Sequence, residues 1–101
     1  MTPEKRIQNQ IINYLKILSK EGEPVFVERR QAGGFNYKKG IADLYAVYNG
    51  IHIEIEVKAP GGHLSPLQEK WRDKCKTLNI KYCCYDNLQD FKNFIKLNFQ
   101  K

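Results

Sequence analysis

Apolar and polar residues alternate without a break from Ile51 to Lys58, which is the pattern of a β-strand. Successive side chains of a strand point to opposite faces of its sheet. Ile51 and every second residue to Val57 therefore form an apolar face, and His52 and every second residue to Lys58 form a polar face. The polar face ends with a carboxylate and an ammonium group two residues apart, just before a Pro-Gly-Gly break.

A second apolar run, residues 44–48, comes directly before this strand and predicts a β-hairpin with it. The two runs are joined by Asn49-Gly50, and an Asn-Gly pair between two strand-like runs is the strongest short-range signal for a hairpin. Asp43 opens the first run and Glu56 lies near the end of the second. The hairpin is therefore expected to bring Asp43 and Glu56 to the same end of neighbouring strands.

Periodic patterns elsewhere predict three helices and two further strands. Apart from the hairpin, the predicted elements are a helix from Thr2 to about Lys20, a strand at Val25–Arg30, a helix from Ser65 to Asn79, a strand at Ile80–Tyr85 and a helix that starts at Asn87. The order α-β-β-β-α-β-α predicts one domain over residues 1–101. Its class is α/β (α+β), with a mixed β-sheet flanked by helices, because the fourth strand returns through a helical crossover.

Composition narrows the classes of protein and partner. Lys and Arg total 17 against 11 Asp and Glu, a formal net charge of +6, which favours a polyanionic partner such as nucleic acid. The sequence has no run near the roughly 20 apolar residues of a membrane span, and no signal-peptide pattern at its start. Its three cysteines form no C-x-x-C pair, so we expect neither zinc nor disulfides, but buried or half-buried thiols in a reducing cytoplasm.

The carboxylates of Asp43 and Glu56, with Lys58 on the same strand face, suit hydrolysis assisted by a divalent metal. Mg²⁺ takes oxygen ligands, usually one or two carboxylates together with water and substrate phosphate oxygens. Lys58 would then offset charge at the scissile phosphate or help to position the attacking water. The alternative is a surface ion pair between these residues, which is the commoner meaning of an isolated E-x-K pattern.

The segment between the first two strands is basic, glycine-rich and aromatic, and we expect it to contact DNA. Its candidate nucleic-acid-binding residues are Arg29, Arg30, Lys38 and Lys39, because Lys and Arg neutralise phosphates. The alternative is a solvated loop with an ordinary excess of lysine. His63, in the turn beyond Lys58, is a further candidate for a phosphate contact or simply a polar loop residue.

Two polar residues near the candidate site have two interpretations each. Ser65 and Gln68 form the S-x-x-Q pattern of a capping box, which explains Gln68 without any catalytic role. Glu54 shares the strand face of Glu56 and either pairs with a basic side chain on a neighbouring element or contributes to a second metal position. We favour the pairing.

Three motifs occur in an order that resembles a known nuclease family. They are G-I-A-D-L at 40–44, I-E-V-K-A-P at 55–60 and L-S-P-L-Q-E-K-W at 64–71, and they follow a helix with Glu4 in its first turn. The chain resembles the VRR-NUC (virus-type replication–repair nuclease) family of the PD-(D/E)XK nuclease superfamily. The usual family pattern reads G-x-P-D-L, I-E-V-K-x-P and L-S-x-x-Q-x-x-W. The departures are Ala42, where the pattern has proline, and Glu54, where it more often has an apolar residue.

The resemblance implies a restriction-endonuclease-like core and a metal-dependent endodeoxyribonuclease. It implies that Glu4, Asp43, Glu56 and the Val57 carbonyl hold Mg²⁺ or Mn²⁺. The catalytic residues that it implies are Asp43, Glu56, Lys58 and Gln68. Of these, Lys58 and Gln68 are expected to orient the water and stabilise charge.

The stand-alone, phage-like members of the family imply a substrate and an assembly. The implied substrate is branched DNA, above all four-way (Holliday) junctions. The implied assembly is a homodimer, which would make two symmetric cuts, and the implied location is the host cytoplasm. A last helix rich in Phe and Leu offers one dimer surface. The alternatives are a nuclease for flap, nicked or duplex DNA, a non-catalytic DNA-binding module, and a basic protein–protein adaptor, which leaves the carboxylates and the lysine unexplained.

Overall fold

A computed structural model describes residues 1–30 and 39–100 of the chain. Its elements are α1 (Pro3–Lys20), β1 (Val25–Arg29), β2 (Leu44–Tyr48), β3 (Ile51–Val57), α2 (Pro66–Thr77), β4 (Lys81–Tyr85) and α3 (Leu88–Asn98). The predicted order of helices and strands and the predicted mixed sheet flanked by helices are therefore confirmed. None of the helices in this part of the chain is long and apolar enough to cross a membrane.

The four strands lie in the order β1-β2-β3-β4. The first three are antiparallel to one another, and β4 runs parallel to β3 because α2 carries the chain back across the sheet. Asn49 and Gly50 both have positive φ, +52° and +78°, as the tight turn of this hairpin requires. Leu44 pairs with Ile55, which sets Asp43 beside Glu56 as the hairpin predicted.

The apolar core lies between one face of the sheet and the helices α1 and α3. Ile53, Ile55 and Val57 of β3 are fully buried there, and the helices contribute Ile11, Leu15, Phe91 and Ile95, which are buried completely or nearly so. Phe94 and Phe99 also pack against this core, although they are partly exposed. The aromatic residues of α3 are thus accommodated within their own chain, and Leu97 is the apolar residue of α3 that projects into solvent.

The opposite face of the sheet differs from what the alternation alone indicates. Glu54 and Glu56 are as buried as their apolar neighbours, with 1% and 2% of their surface exposed. The reason is α2, whose side chains of Gln68 and Trp71 reach both carboxylates. From Ile53 to Val57, β3 is therefore buried on both faces, one apolar and one charged.

The cysteine prediction is confirmed in part. Cys75 and Cys83 are buried, and the three thiols form no disulfide. Cys84 is exposed, contrary to the expectation of a buried or half-buried thiol, because adjacent residues of β4 face opposite sides of the sheet.

Gly40 is held where a larger residue does not fit. Its φ is +91°, and a Cβ built on it lies 2.7 Å from the Leu67 carbonyl oxygen at the start of α2. Gly50 also has positive φ, but a Cβ there meets nothing within 4 Å. Gly40 therefore allows the chain before Asp43 to pack directly on α2.

We expect Gly40→Ala to lower the free energy of unfolding by about 3 kcal/mol, because backbone strain and overlap with Leu67 add. The matched control, Gly50→Ala, brings the strain alone and should lower it by about 1 kcal/mol. Urea denaturation of both variants measures the difference. Equal losses would show that the close contact between Gly40 and Leu67 has no energetic consequence.

Candidate active site

The carboxylates predicted to act together gather where β3 leaves the sheet. Asp43 and Glu56 are neighbours across the β2–β3 pair. Glu4, in the first turn of α1, reaches the same place, where its Oε1 accepts a 3.4 Å hydrogen bond from the Ala59 N–H. Glu4 therefore lies near the other two carboxylates, and its role as a metal ligand stays a prediction.

Glu56 is the carboxyl group of this site whose pKa is raised by its surroundings. Burial raises the pKa of its carboxyl, and the nearby charges of Asp43 and Glu4 raise it further. Lys58 acts in the opposite direction, and the result is a pKa of about 7 against an ordinary 4.5. A second positive charge at this point would relieve the repulsion, because the site holds more negative than positive charge.

Gln68 fulfils its structural role and also touches the candidate site. Its Oε1 accepts a 2.9 Å hydrogen bond from the Ser65 N–H, which completes the predicted capping box at the start of α2. Its Nε2 donates to Glu56 Oε1 at 3.1 Å. The cap fixes the side chain so that its amide faces the buried carboxylate, and a contact with water or phosphate stays a prediction.

Gln8 also contacts this group of carboxylates, although its place in the sequence did not lead us to predict it. Its side chain is 4% exposed, and its Nε2 donates to Asp43 Oδ2 at 3.2 Å. The signal was present, since Gln8 lies one turn after Glu4 on α1 and borders the apolar stripe of that helix. A buried amide at that position requires a polar partner, which Asp43 provides.

Lys58 lies at the edge of the site and is half-buried. Its backbone N–H donates to the Tyr85 carbonyl at 3.1 Å, which continues the pairing of β3 with β4 beyond the last strand residue. Its side chain lines an open cavity of about 350 Å³, together with His63, Cys84 and Asp86. Lys58 and His63 thus line one cavity, whose acidic lining residues are Asp86 and Asp90 and not the carboxylates of the candidate site.

The oxygen donors of this site suit a hard divalent cation. Glu4, Asp43, Glu56 and the Val57 carbonyl offer oxygen atoms only, the ligand type that Mg²⁺ and Mn²⁺ prefer. Each of the three carboxylates accepts a hydrogen bond from an N–H group, and within residues 1–30 and 39–100 no three His, Cys, Asp or Glu side chains are close enough to hold a metal together. Binding would therefore require these side chains to turn towards the cation, and the ligand set stays a prediction.

Glu54 is paired with a basic residue, which confirms the favoured alternative. Arg30 donates to both of its oxygens, Nη1 and Nη2 each at 2.6 Å, and Trp71 Nε1 donates at 3.0 Å. His52 hydrogen-bonds to it as well. Burial alone would raise the pKa of the Glu54 carboxyl, but these hydrogen bonds and the charge of Arg30 hold it below its ordinary value. Glu54 stays ionised, and both of its oxygens are occupied.

Arg30 therefore has a role that the sequence did not predict. Its guanidinium also donates to the Ala42 carbonyl at 2.8 Å, and its backbone N–H donates to the Asp43 carbonyl at 2.8 Å. Ala42, the departure from the family pattern, is fully buried. Arg30 was expected to contact nucleic acid, but its guanidinium is bound to Glu54 and anchors the backbone on which Asp43 lies.

The other candidate nucleic-acid contacts are placed differently. The Arg29 guanidinium donates a hydrogen bond to the Asn9 side chain of α1, so it already has a partner within the protein. Lys39 is exposed to solvent. Lys38 lies outside the described residues, as do Phe35 and Tyr37 of the same segment. Their part in DNA contact stays a prediction.

We expect Glu56→Gln to change the pH dependence of stability. The folded protein holds the Glu56 proton with a pKa of about 7, above the ordinary 4.5, so the free energy of unfolding should fall as pH rises between these values. At pH 8 in EDTA the variant should be more stable than the parent by about 2 kcal/mol, and near pH 4 the difference should vanish. Urea denaturation at the two pH values tests this, and Glu28→Gln, at an exposed position, is the control. An identical pH dependence in parent and Glu56→Gln would contradict it.

Glu54→Gln should instead destabilise the protein at neutral pH, by about 2 kcal/mol, because it leaves the Arg30 guanidinium without its counter-charge. The same control, Glu28→Gln, should stay within about 0.5 kcal/mol of the parent. The double variant with Arg30→Gln should lose less than the sum of the single losses. Additive losses would show that the pair is not energetically coupled.

The fold is shared with a solved structure, although the sequence alone finds no relative. No family model matches the chain, and no curated protein matches it. A solved structure described as "VRR_NUC domain" superposes with a TM-score of 0.80 at 17% sequence identity, covering 98% of this chain and 100% of that one. The expectation drawn from the three motifs is thereby confirmed for the architecture: the chain has the fold of a VRR-NUC domain.

Proposed function

We propose that this protein is a metal-dependent endonuclease that hydrolyses phosphodiester bonds in branched DNA, above all four-way (Holliday) junctions, as a homodimer. One observation carries the proposal. Asp43, the buried Glu56 and Lys58 lie together at the exit of β3, in a domain with the fold of a solved VRR_NUC domain. A surface ion pair does not account for this arrangement, because Glu56 is 2% exposed.

The excess of negative charge supports a metal requirement. Glu4, Asp43, Glu56 and the Val57 carbonyl would hold Mg²⁺ or Mn²⁺. When bound, such a cation acts as a Lewis acid on phosphoryl oxygen and lowers the pKa of water. Glu56 would be its central ligand, because its carboxylate is buried among like charges whose repulsion a cation would offset.

Lys58 and Gln68 would act on the substrate side of the site. Lys58 carries a positive charge beside the open cavity, where it can offset charge that develops on a phosphate in the transition state. The Gln68 amide faces Glu56 from the capped end of α2, so it can donate a hydrogen bond to the attacking water or to a phosphate oxygen. The Gln68 side chain is held by the cap, which limits the reorganisation that the reaction requires of it.

The proposals for the substrate and the assembly rest on the net charge and on the family resemblance. A net charge of +6 in a chain of 101 residues favours a polyanion. The preference for four-way junctions and the homodimer rest on the family resemblance and on the symmetry of a junction that needs two cuts. The aromatic residues of α3 no longer favour a dimer surface there, because they pack into their own core.

Cleavage assays test the proposal. Labelled four-way junction, flap and linear duplex would be incubated with Mg²⁺, Mn²⁺ or EDTA, using the parent protein, Lys58→Ala and the exposed-lysine control Lys16→Ala. We expect paired symmetric cuts in the junction that are abolished by EDTA. Lys58→Ala should lower the rate by about 100-fold or more, and Lys16→Ala should leave it unchanged.

The other outcomes separate the alternatives. Metal-dependent cutting of flap or duplex without junction cleavage would keep the catalytic assignment and reject the junction preference. Tight DNA binding without cutting under any metal would indicate a non-catalytic DNA-binding module and reject the enzyme. Equal rates for Lys58→Ala and Lys16→Ala would remove Lys58 from the catalytic set.

A further inference from the structure

A groove with three lysines runs along α2. We call it the lysine groove. It encloses about 230 Å³ and is lined by Lys39, Leu67, Lys70, Trp71 and Lys74. We propose that the lysine groove binds the sugar–phosphate backbone of DNA and leads a strand to the carboxylates. The inference rests on the proposed function, since it takes DNA as the partner.

The charge of the groove is uncompensated by its surroundings. Its lining contains no carboxylate, and in the described part of the chain no ion pair involves Lys39, Lys70 or Lys74. The acidic residues of α2, Glu69 and Asp73, pair with Arg72 and not with the lysines of the groove. Positive charge is thereby concentrated on one side of the helix.

The spacing of the lysines follows from helix geometry. Lys70 and Lys74 are four residues apart and so lie on the same face of α2, one above the other. Lys39 comes from a separate segment, and the next residue, Gly40, packs directly against Leu67 because it has no side chain. The three cations thus converge from two separate segments, as a ligand with several negative charges requires.

The walls between the lysines are apolar and fixed. Trp71 is oriented by the hydrogen bond from its Nε1 to the buried Glu54 carboxylate. Leu67 is 50% exposed although it is a large apolar residue in the first turn of the helix. Apolar walls suit the sugars and base faces of a nucleic acid, and the lysines suit its phosphates.

The groove adjoins the candidate active site. Leu67 lines the groove, and the next residue, Gln68, donates to Glu56. Lys74 lies six residues beyond Gln68, which is about 9 Å along the helix axis. A strand held by the lysines therefore passes close to the carboxylates, and this position favours a substrate strand over an unrelated anion.

Salt-dependent binding tests the inference without any need for catalysis. Fluorescence anisotropy of a labelled DNA duplex and a labelled four-way junction would be measured in EDTA, between about 50 and 200 mM KCl. We compare the parent with Lys70→Gln/Lys74→Gln, and with Lys39→Gln as an independent single change outside the helix. The matched control is Lys16→Gln/Lys20→Gln, which removes the same charge at the same spacing from exposed positions of α1.

If both lysines contact phosphates, the slope of log K against log salt becomes shallower by about 2 for the α2 double variant and by about 1 for Lys39→Gln. The α1 control should leave the slope unchanged. Unchanged slopes in the groove variants, equal changes in the control, or a parent protein that binds no DNA would each overturn the inference. Thermal melting shows whether a variant is folded, and Lys39→Gln decides the matter if the α2 variant is not.

The failure of this inference differs from the failure of the proposed function. Metal-dependent cleavage by the parent, with no change of slope in the groove variants, would keep the nuclease and reject the groove. A shallower slope in the groove variants, with no cleavage by the parent under any metal, would keep the groove as a DNA-binding surface and reject the nuclease.

Discussion

The burial of two carboxylates on one face of a single strand is the constraint on which the rest of this structure depends. Glu54 and Glu56 are neighbours on that face of β3, they are 1% and 2% exposed, and each accepts a hydrogen bond from α2. A buried charge is tolerated only when it is paired and hydrogen-bonded, or when it is protonated or bound to a cation. Glu54 is paired and hydrogen-bonded. Among the described residues, Glu56 has no such ion pair, so at this site a proton or a cation is the means of offsetting its charge.

The opposite pKa shifts of the two residues follow from their surroundings. Glu54 receives two hydrogen bonds from Arg30 and one each from Trp71 and His52, so its carboxylate is stabilised despite burial. Glu56 receives one amide hydrogen bond, from Gln68, and faces the charges of Asp43 and Glu4. Strongly perturbed titratable groups of this kind are characteristic of functional sites. Glu54 is thus a fully paired residue, and Glu56 is the group that we propose as the central ligand of the cation.

The ion pair between Arg30 and Glu54 also contacts the segments that carry the proposed catalytic residues. Arg30 joins Glu54 to the Ala42 carbonyl, one residue before Asp43, and Trp71 joins Glu54 to α2, one turn after Gln68. On a third side, Glu54 lies two residues before Glu56 on β3. Asp43, Glu56 and Gln68 come from three separate segments of the chain. Glu54, with its partners Arg30 and Trp71, contacts or belongs to each of these segments. Precise relative placement of such groups is what a catalytic site requires.

The sequence by itself determined the elements and the nearness of Asp43 to Glu56. Both follow from local rules, because strand alternation, the Asn-Gly turn and the helix caps act over a few residues. The tertiary structure alone decided that α2 buries the polar face of β3, that Arg30 is the partner of Glu54 and that Gln8 reaches Asp43. Those contacts join residues 12 to 35 positions apart along the chain. Which distant residues meet depends on how the helices pack on the sheet, and no local pattern of residues specifies that packing.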